Sequence, residues 1–217
     1  MQDLLLQPLQ NLKLDKALSI QDIPYTFTAA PLYQLPFGKG KPFLNHGIGS
    51  AIVGGFQVGA VLRYQSGVPT SFGGANAIPG WDNLVRFNRT GQPILNPAVV
   101  SGSFNPFTER YFNSGAFADP NANRGTGPYQ LGNFPRTNGD ARGPNYFNED
   151  FSAMRNFTLA SIKDIPVTLQ FKAEFLNAFN RHIFAIPNES PNSPNFGLVT
   201  GTIDAPRAVQ FTLRLNF

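Results

Sequence analysis

The stretch A-V-Q-F-T-L-R-L-N-F, residues 208–217, decides the fold. Val209, Phe211, Leu213, Leu215 and Phe217 fall on one parity, and Gln210, Thr212, Arg214 and Asn216 on the other. A β-strand sends alternate side chains to opposite faces, so the segment builds one apolar and one polar face before stopping on an aromatic terminus. In a soluble sandwich the apolar side would meet a core. In an outer-membrane barrel it meets lipid while the polar side lines the lumen. The strand by itself is compatible with both, so the choice falls to the rest of the chain.

Working outward, two further alternating stretches precede it. Tyr146 to Ala160 and Val167 to Asn180 read as strands joined by the short turn Ser161 to Pro166. In the second, Val167, Leu169, Phe171, Ala173, Phe175 and Phe179 oppose Thr168, Gln170, Lys172, Glu174 and Asn180. Earlier, Asn11 to Ala17, Tyr25 to Pro36 and about Ala51 to Gln65 read as strands, the last two joined by a Gly/Pro turn over Phe37 to His46. Within Asn148 to Leu159, Glu149 and Arg155 share a parity with Phe151, Ala153, Phe157 and Leu159. A bulge or a position at headgroup level would accommodate Arg155.

Ser66 to Asn145 is different material, dense in Gly, Pro and Asn and without a sustained period. A structureless loop of that length argues against a compact soluble domain. Together with a second Asn/Pro-rich connection, Arg181 to Pro206, it gives long loops alternating with short turns, the asymmetry of a membrane barrel. With the last strand ending in the periplasm, both long connections lie outside the cell and the short turns lie on the periplasmic side.

Composition agrees. The 217 residues include 21 Phe, 21 Gly and 19 Pro, with only 14% charged; barrel walls, aromatic girdles and turn-rich loops account for all three. No run approaches the roughly 20 apolar residues of a membrane helix, so spanning is expected by strands. There is no cysteine and the net charge is a modest +4 with scattered basic residues, which disfavours a nucleic-acid partner. Met1 to Gln10 lacks a positive n-region, an apolar h-region and a cleavage site, so the expected export signal belongs upstream, in a longer parent.

Five blocks then carry a family resemblance: Y-Q-L-P-F-G-K-G-K-P-F-L-N (33–45), G-G-F-Q-V-G-A-V-L-R-Y-Q-S-G-V-P (54–69), R-G-P-N-Y-F-N-E-D-F-S-A-M-R-N-F (142–157), L-Q-F-K-A-E-F-L-N-A-F-N (169–180) and P-R-A-V-Q-F-T-L-R-L-N-F (206–217). In this order they resemble the carboxy-terminal barrel of TonB-dependent outer-membrane receptors, most of all the Oar-like group. The resemblance implies an all-β fold, an antiparallel curved sheet of about six transmembrane strands forming the carboxy-terminal part of a 22-stranded barrel. Over residues 1–217 it implies a partial barrel with a long extracellular loop at 66–145 and no plug domain. Family members import large or scarce solutes, of siderophore or carbohydrate type, driven through the plug by an inner-membrane TonB complex. The partners implied are outer-membrane lipid, the barrel-insertion machinery, the rest of the barrel and its plug; the solute stays open.

The expected functional residues follow. Phe211, Leu213, Leu215 and Phe217 form the barrel-assembly signal that the resemblance implies. Lys172 and Glu174, with Arg214 on the adjoining strand, are expected to face the lumen, either as a bracing charge ladder or as contacts to plug or solute. Trp81, Arg110, Tyr111 and Phe112 are the expected solute contacts of the outer loop, because aromatics and Arg dominate recognition surfaces. No enzyme site is expected: His46 and His182 lack ligand-spaced partners, Gly38-Lys39-Gly40-Lys41 lacks the Ser/Thr of a phosphate loop, and Glu149 and Asp150 point to opposite faces. No cofactor or metal is expected. Two other readings compete: a soluble carbohydrate-binding or adhesive β-sandwich, and a passive pore of several copies, which is disfavoured because known single-chain barrels close within one polypeptide.

Overall fold

The computed structural model describes residues 16–75, 78–79, 85–123, 125–162 and 165–217. The described residues are almost all strand and irregular structure, in two compact units, one comprising 25–65, 146–183 and 204–217, the other 1–24, 66–145 and 184–203. In chain order the elements are β1 (Thr26–Ala29), β2 (Leu32–Gln34), α1 (Gly47–Val53), β3 (Phe56–Gln65), β4 (Pro69–Thr70), β5 (Asn88–Arg89), α2 (Pro97–Ser101), β6 (Phe117–Ala118), β7 (Asn138–Arg142), β8 (Tyr146–Ile162), β9 (Ile165–Leu176) and β10 (Ala208–Asn216), with a 3-10 turn at Ser114–Ala116.

The first unit is one antiparallel sheet in the order β1-β3-β8-β9-β10, with β2 also on β3. β1 and β2 are two halves of one edge strand, lying consecutively along β3 from Thr26↔Gln65 to Gln34↔Gln57. Pro31 interrupts them, since it has no N–H to give the ladder. The expected single strand Tyr25 to Pro36 is therefore split, and the count of six strands is reached without Asn11 to Ala17, most of which lies outside the described residues. The expected start of the next strand at Ala51 is also corrected: residues 47–53 are helical, and β3 begins at Phe56. β9 stops at Leu176 rather than Asn180, because Asn177 turns to a positive φ of 46°.

Register fixes the faces. Phe211↔Ala173, Leu213↔Phe171 and Leu215↔Leu169 join β10 to β9, and Phe151↔Phe175, Arg155↔Phe171 and Phe157↔Leu169 join β9 to β8. β3 adds Phe56, Val58, Ala60, Leu62 and Tyr64 to the same side. The sandwich reading requires this face to be covered, yet Phe211 and Leu213 are 67% and 68% exposed. An uncovered apolar face of this extent is what a wall facing hydrocarbon presents.

Both long connections leave the sheet from one end. β3 ends and β8 begins there in the pair Gln65↔Tyr146, and β9 ends and β10 begins there in the pair Leu176↔Ala208. Aromatic rings crowd this end: Phe27 stacks on Tyr64 at 5.9 Å, Tyr64 meets Phe147 at 5.7 Å and Phe151 meets Phe179 at 5.8 Å. Such a belt matches the girdle of a barrel at the membrane–water boundary.

The second unit is not an open loop. Phe72, Phe87, Ile94, Tyr111, Phe112, Ala116, Phe134, Ala141 and Phe196 form a buried core, with Phe104 and Phe117 packed on it. Phe72 alone meets the rings of Phe112, Phe117, Phe134 and Phe196 at 4.6–6.0 Å. Each buried ring contributes about 1.5–3 kcal/mol, enough in sum to fold a segment with little regular structure. Local signals help: Asn96 caps α2 by accepting from the Ala98 N–H at 2.9 Å, Pro97 starts it, and Gly102 ends it at φ 78°.

Candidate functional site

The polar face of the wall carries the first set of expected residues. Register places Gln210 opposite Glu174, Thr212 opposite Lys172 and Arg214 opposite Gln170, so Lys172, Glu174 and Arg214 share that face. Lys172 Nζ lies 2.8 Å from Glu174 Oε1. Both side chains are partly exposed, so in water the pair is worth at most about 1 kcal/mol. Arg214 stands one two-residue step beyond the partner of Lys172 and is not in that pair. On the same face a groove of about 360 Å³ runs across β2, β3, β8 and β9, lined among others by Leu32, Val61, Asp150, Ser152, Lys172 and Glu174.

The two charged residues on the apolar parity have separate explanations. The ladder is continuous through Glu149 and Arg155, so the bulge envisaged at Arg155 is absent; the irregularity between β8 and β9 falls between Thr158 and Ala160. Arg155 sits at the short-turn end, its guanidinium 4.3 Å from the Phe157 ring centroid and 5.7 Å from that of Phe56. It donates to the carbonyl oxygens of Ala51 at 2.6 Å and Ile52 at 3.0 Å, the last turn of α1. Glu149 is 2% exposed and held by Arg181, whose Nε donates to both carboxylate oxygens at 3.0 and 2.9 Å. The role of Arg181 was missed in the sequence, although a carboxylate on an apolar parity demands a nearby cation.

In the second unit the expected solute contacts fall out differently. Phe112 is 1% exposed and Tyr111 is buried beside it, so neither ring is available at a surface. Aromatics here are spent on the core because no regular element supplies one. Burial pushes the Tyr111 hydroxyl up to about 12, and it donates to the Arg142 carbonyl at 3.1 Å. Arg110 is exposed, but its guanidinium donates to the carbonyls of Phe196 and of Pro194, the latter at 2.8 Å. Trp81 lies outside the described residues.

A concave site exists elsewhere in this unit. Phe72, Arg86, Phe87, Phe134, Pro135 and Arg136 line a cavity of about 160 Å³ together with Ser71 and Gly73. Arg86 is buried and donates to the Phe134 carbonyl at 3.1 Å. Near its rim the Ser71 N–H donates to Glu189 at 2.9 Å. Burial raises the Glu189 carboxyl above its ordinary value, partly opposed by that hydrogen bond. Nothing in the sequence marked these residues, which converge only through the aromatic core.

No group of three or more His, Cys, Asp or Glu among the described residues could hold a metal ion. No described helix is long and apolar enough to cross a membrane, whereas the inner strands β3, β8 and β9 satisfy their backbone groups between neighbours, as a spanning structure must. The architecture is that of an outer-membrane barrel wall. The family model described as outer membrane beta barrel domain matches residues 2–210, and the chain belongs to that family and to the outer membrane. No curated protein and no solved structure matches the chain.

Proposed function

We propose that the chain supplies part of the barrel of a TonB-dependent receptor of the Oar-like group, which imports a large or scarce solute of siderophore or carbohydrate type and performs no catalysis. The observation that carries this reading is the open wall. Among the described residues six strand segments leave β10 paired on one side only and β1 and β2 paired only to β3, and unpaired edges are untenable in hydrocarbon until further strands close the barrel. The ordered sequence blocks point to the receptor family as the source of those strands and of the plug that meets the TonB complex. In the closed barrel Lys172, Glu174, Asp150 and Arg214 line the lumen, and the cavity around Arg86 and Arg136 captures solute outside the cell.

The test is uptake by cells carrying the complete barrel, using fluorescent siderophore and oligosaccharide probes before and after collapse of the proton-motive force. Energy-coupled import stops on collapse. Uptake that continues unchanged refutes the receptor reading in favour of a passive pore.

A further inference from the structure

The segment between β2 and β3 is more than a turn. Phe37 and Phe43 form an isolated parallel bridge, with their rings 6.4 Å apart. Gly38, at φ 110°, lies so close to Gly54 that a Cβ on either would sit 2.7 Å from the other's Cα. The Gly55 N–H closes back on the Phe37 carbonyl at 3.2 Å. This locked base presents α1 with Ile48 80% and Ile52 64% exposed; four residues apart, they share one helix face. Phe43 and Leu44 are exposed beside them in sequence.

Two observations say what covers this patch. First, Arg155 belongs to the apolar face by register, lies over the Phe56 and Phe157 rings, and bonds the last two carbonyls of the α1 turn. The helix is thereby tied to the outward, lipid-facing side of the wall, continuous with the surface that meets hydrocarbon. Second, residues 37–55 contain Lys39, Lys41 and His46 and no acid, a charge balance suited to phosphate headgroups. A short apolar face flanked by lysines at the end of a membrane wall has the composition of an interfacial anchor.

We propose that α1 and the loop before it form such an anchor in the periplasmic leaflet of the outer membrane. Ile48, Ile52, Phe43 and Leu44 enter the boundary between headgroups and acyl chains, and Lys39 and Lys41 pair with phospholipid phosphates. The occupant is phospholipid rather than protein. The anchor fixes the depth of the wall at its short-turn end, while the aromatic belt fixes it at the other.

The test places a nitroxide at Ile48→Cys in the complete barrel, made cysteine-free elsewhere, in vesicles of phosphatidylethanolamine and phosphatidylglycerol. Collision rates with oxygen and with a water-soluble nickel chelate give its depth. Labels at Leu213→Cys and at the exposed Thr108→Cys of the second unit calibrate lipid and water, and Ile52→Cys gives an independent reading should the Ile48 variant not assemble. The expected result is an oxygen-to-nickel ratio several-fold above that at Thr108 and approaching that at Leu213. It falls towards water when Lys39→Glu and Lys41→Glu are combined. Free access of the nickel chelate overturns the proposal by placing α1 in water. Exclusion of both reagents overturns it by placing α1 against protein.

Discussion

Leu213→Arg probes the lipid-facing assignment most directly. β10 has nine residues; at about 3.3 Å per residue and a tilt near 45° it rises roughly 21 Å, most of an apolar band about 25 Å tall. Its midpoint is Thr212, so Leu213 lies within about 3 Å of the bilayer midplane, where arginine on the lipid face costs about 2–4 kcal/mol. That corresponds to a roughly 30- to 700-fold loss in the folding equilibrium of the complete barrel. Thr212→Arg is the control at equal depth on the other face. There it stands opposite Lys172, a like-charge pairing worth only about 0.2–1 kcal/mol. Urea unfolding of the barrel in phospholipid vesicles, followed by heat-modifiable migration, measures both. Equal destabilisation by the two substitutions would show that the parity of β10 does not separate lipid from lumen, and the wall assignment would fail.

Four further outcomes are expected. Removing Phe217 from the complete barrel slows insertion and exposes it to periplasmic proteases, whereas Thr212→Ala has little effect; an equal loss of heat-modifiable barrel contradicts the assembly-signal role. Arg181→Met costs about 3 kcal/mol by stranding the Glu149 carboxylate, the low end for breaking a buried pair because Arg181 is half exposed, and Glu149→Gln added to it restores much of the loss in the same unfolding assay. Because the Glu189 carboxyl is raised by burial, its folded form favours the proton: its contribution is complete below the ordinary carboxylate range and is lost as pH rises through the raised value. Glu189→Gln should flatten that dependence in protease-resistance profiles of the second unit. Phe112→Ala should cost about 3–5 kcal/mol in the same unit, making it protease-sensitive together with any loss of solute binding; loss of binding with unchanged resistance would return Phe112 to the recognition surface.

The wall was legible in sequence wherever parity was unbroken. β10 and most of β9 follow from alternation alone, because one face meets lipid and the other does not, whereas in β8 Glu149 and Arg155 interrupt it. Residues 51–53 were read as the start of a strand because Ile52 and Val53 fit either period over so short a run; the positive φ values of Gly47 and Gly55 decide the local path. For Arg155 the sequence left a bulge or a headgroup-level position open; the ladder is regular there, and its partner is a helix carbonyl more than a hundred residues away. The second unit was the least legible. Its core draws on rings at irregular spacing, so no period announces it, and the same rings look like a recognition surface until burial is known. α2, held by Asn96, Pro97 and Gly102, was not read at all, because a five-residue helix leaves no periodic trace.

Phe196 packs among Phe72, Phe112 and Phe117, and the Gly197 carbonyl accepts the Tyr111 N–H at 2.8 Å. At φ 73°, a side chain on Gly197 would meet Tyr111's neighbour Phe112 at its backbone nitrogen, 3.0 Å away. The two long connections between strands are thus one inheritance unit. A change of specificity made by exchanging residues 66–145 alone would leave the Phe196 ring facing a foreign complement, so viable chimaeras between related barrels must transplant 184–203 along with it. Divergence in one connection is expected to be tracked by compensating changes in the other, even though a complete membrane hairpin separates them along the chain.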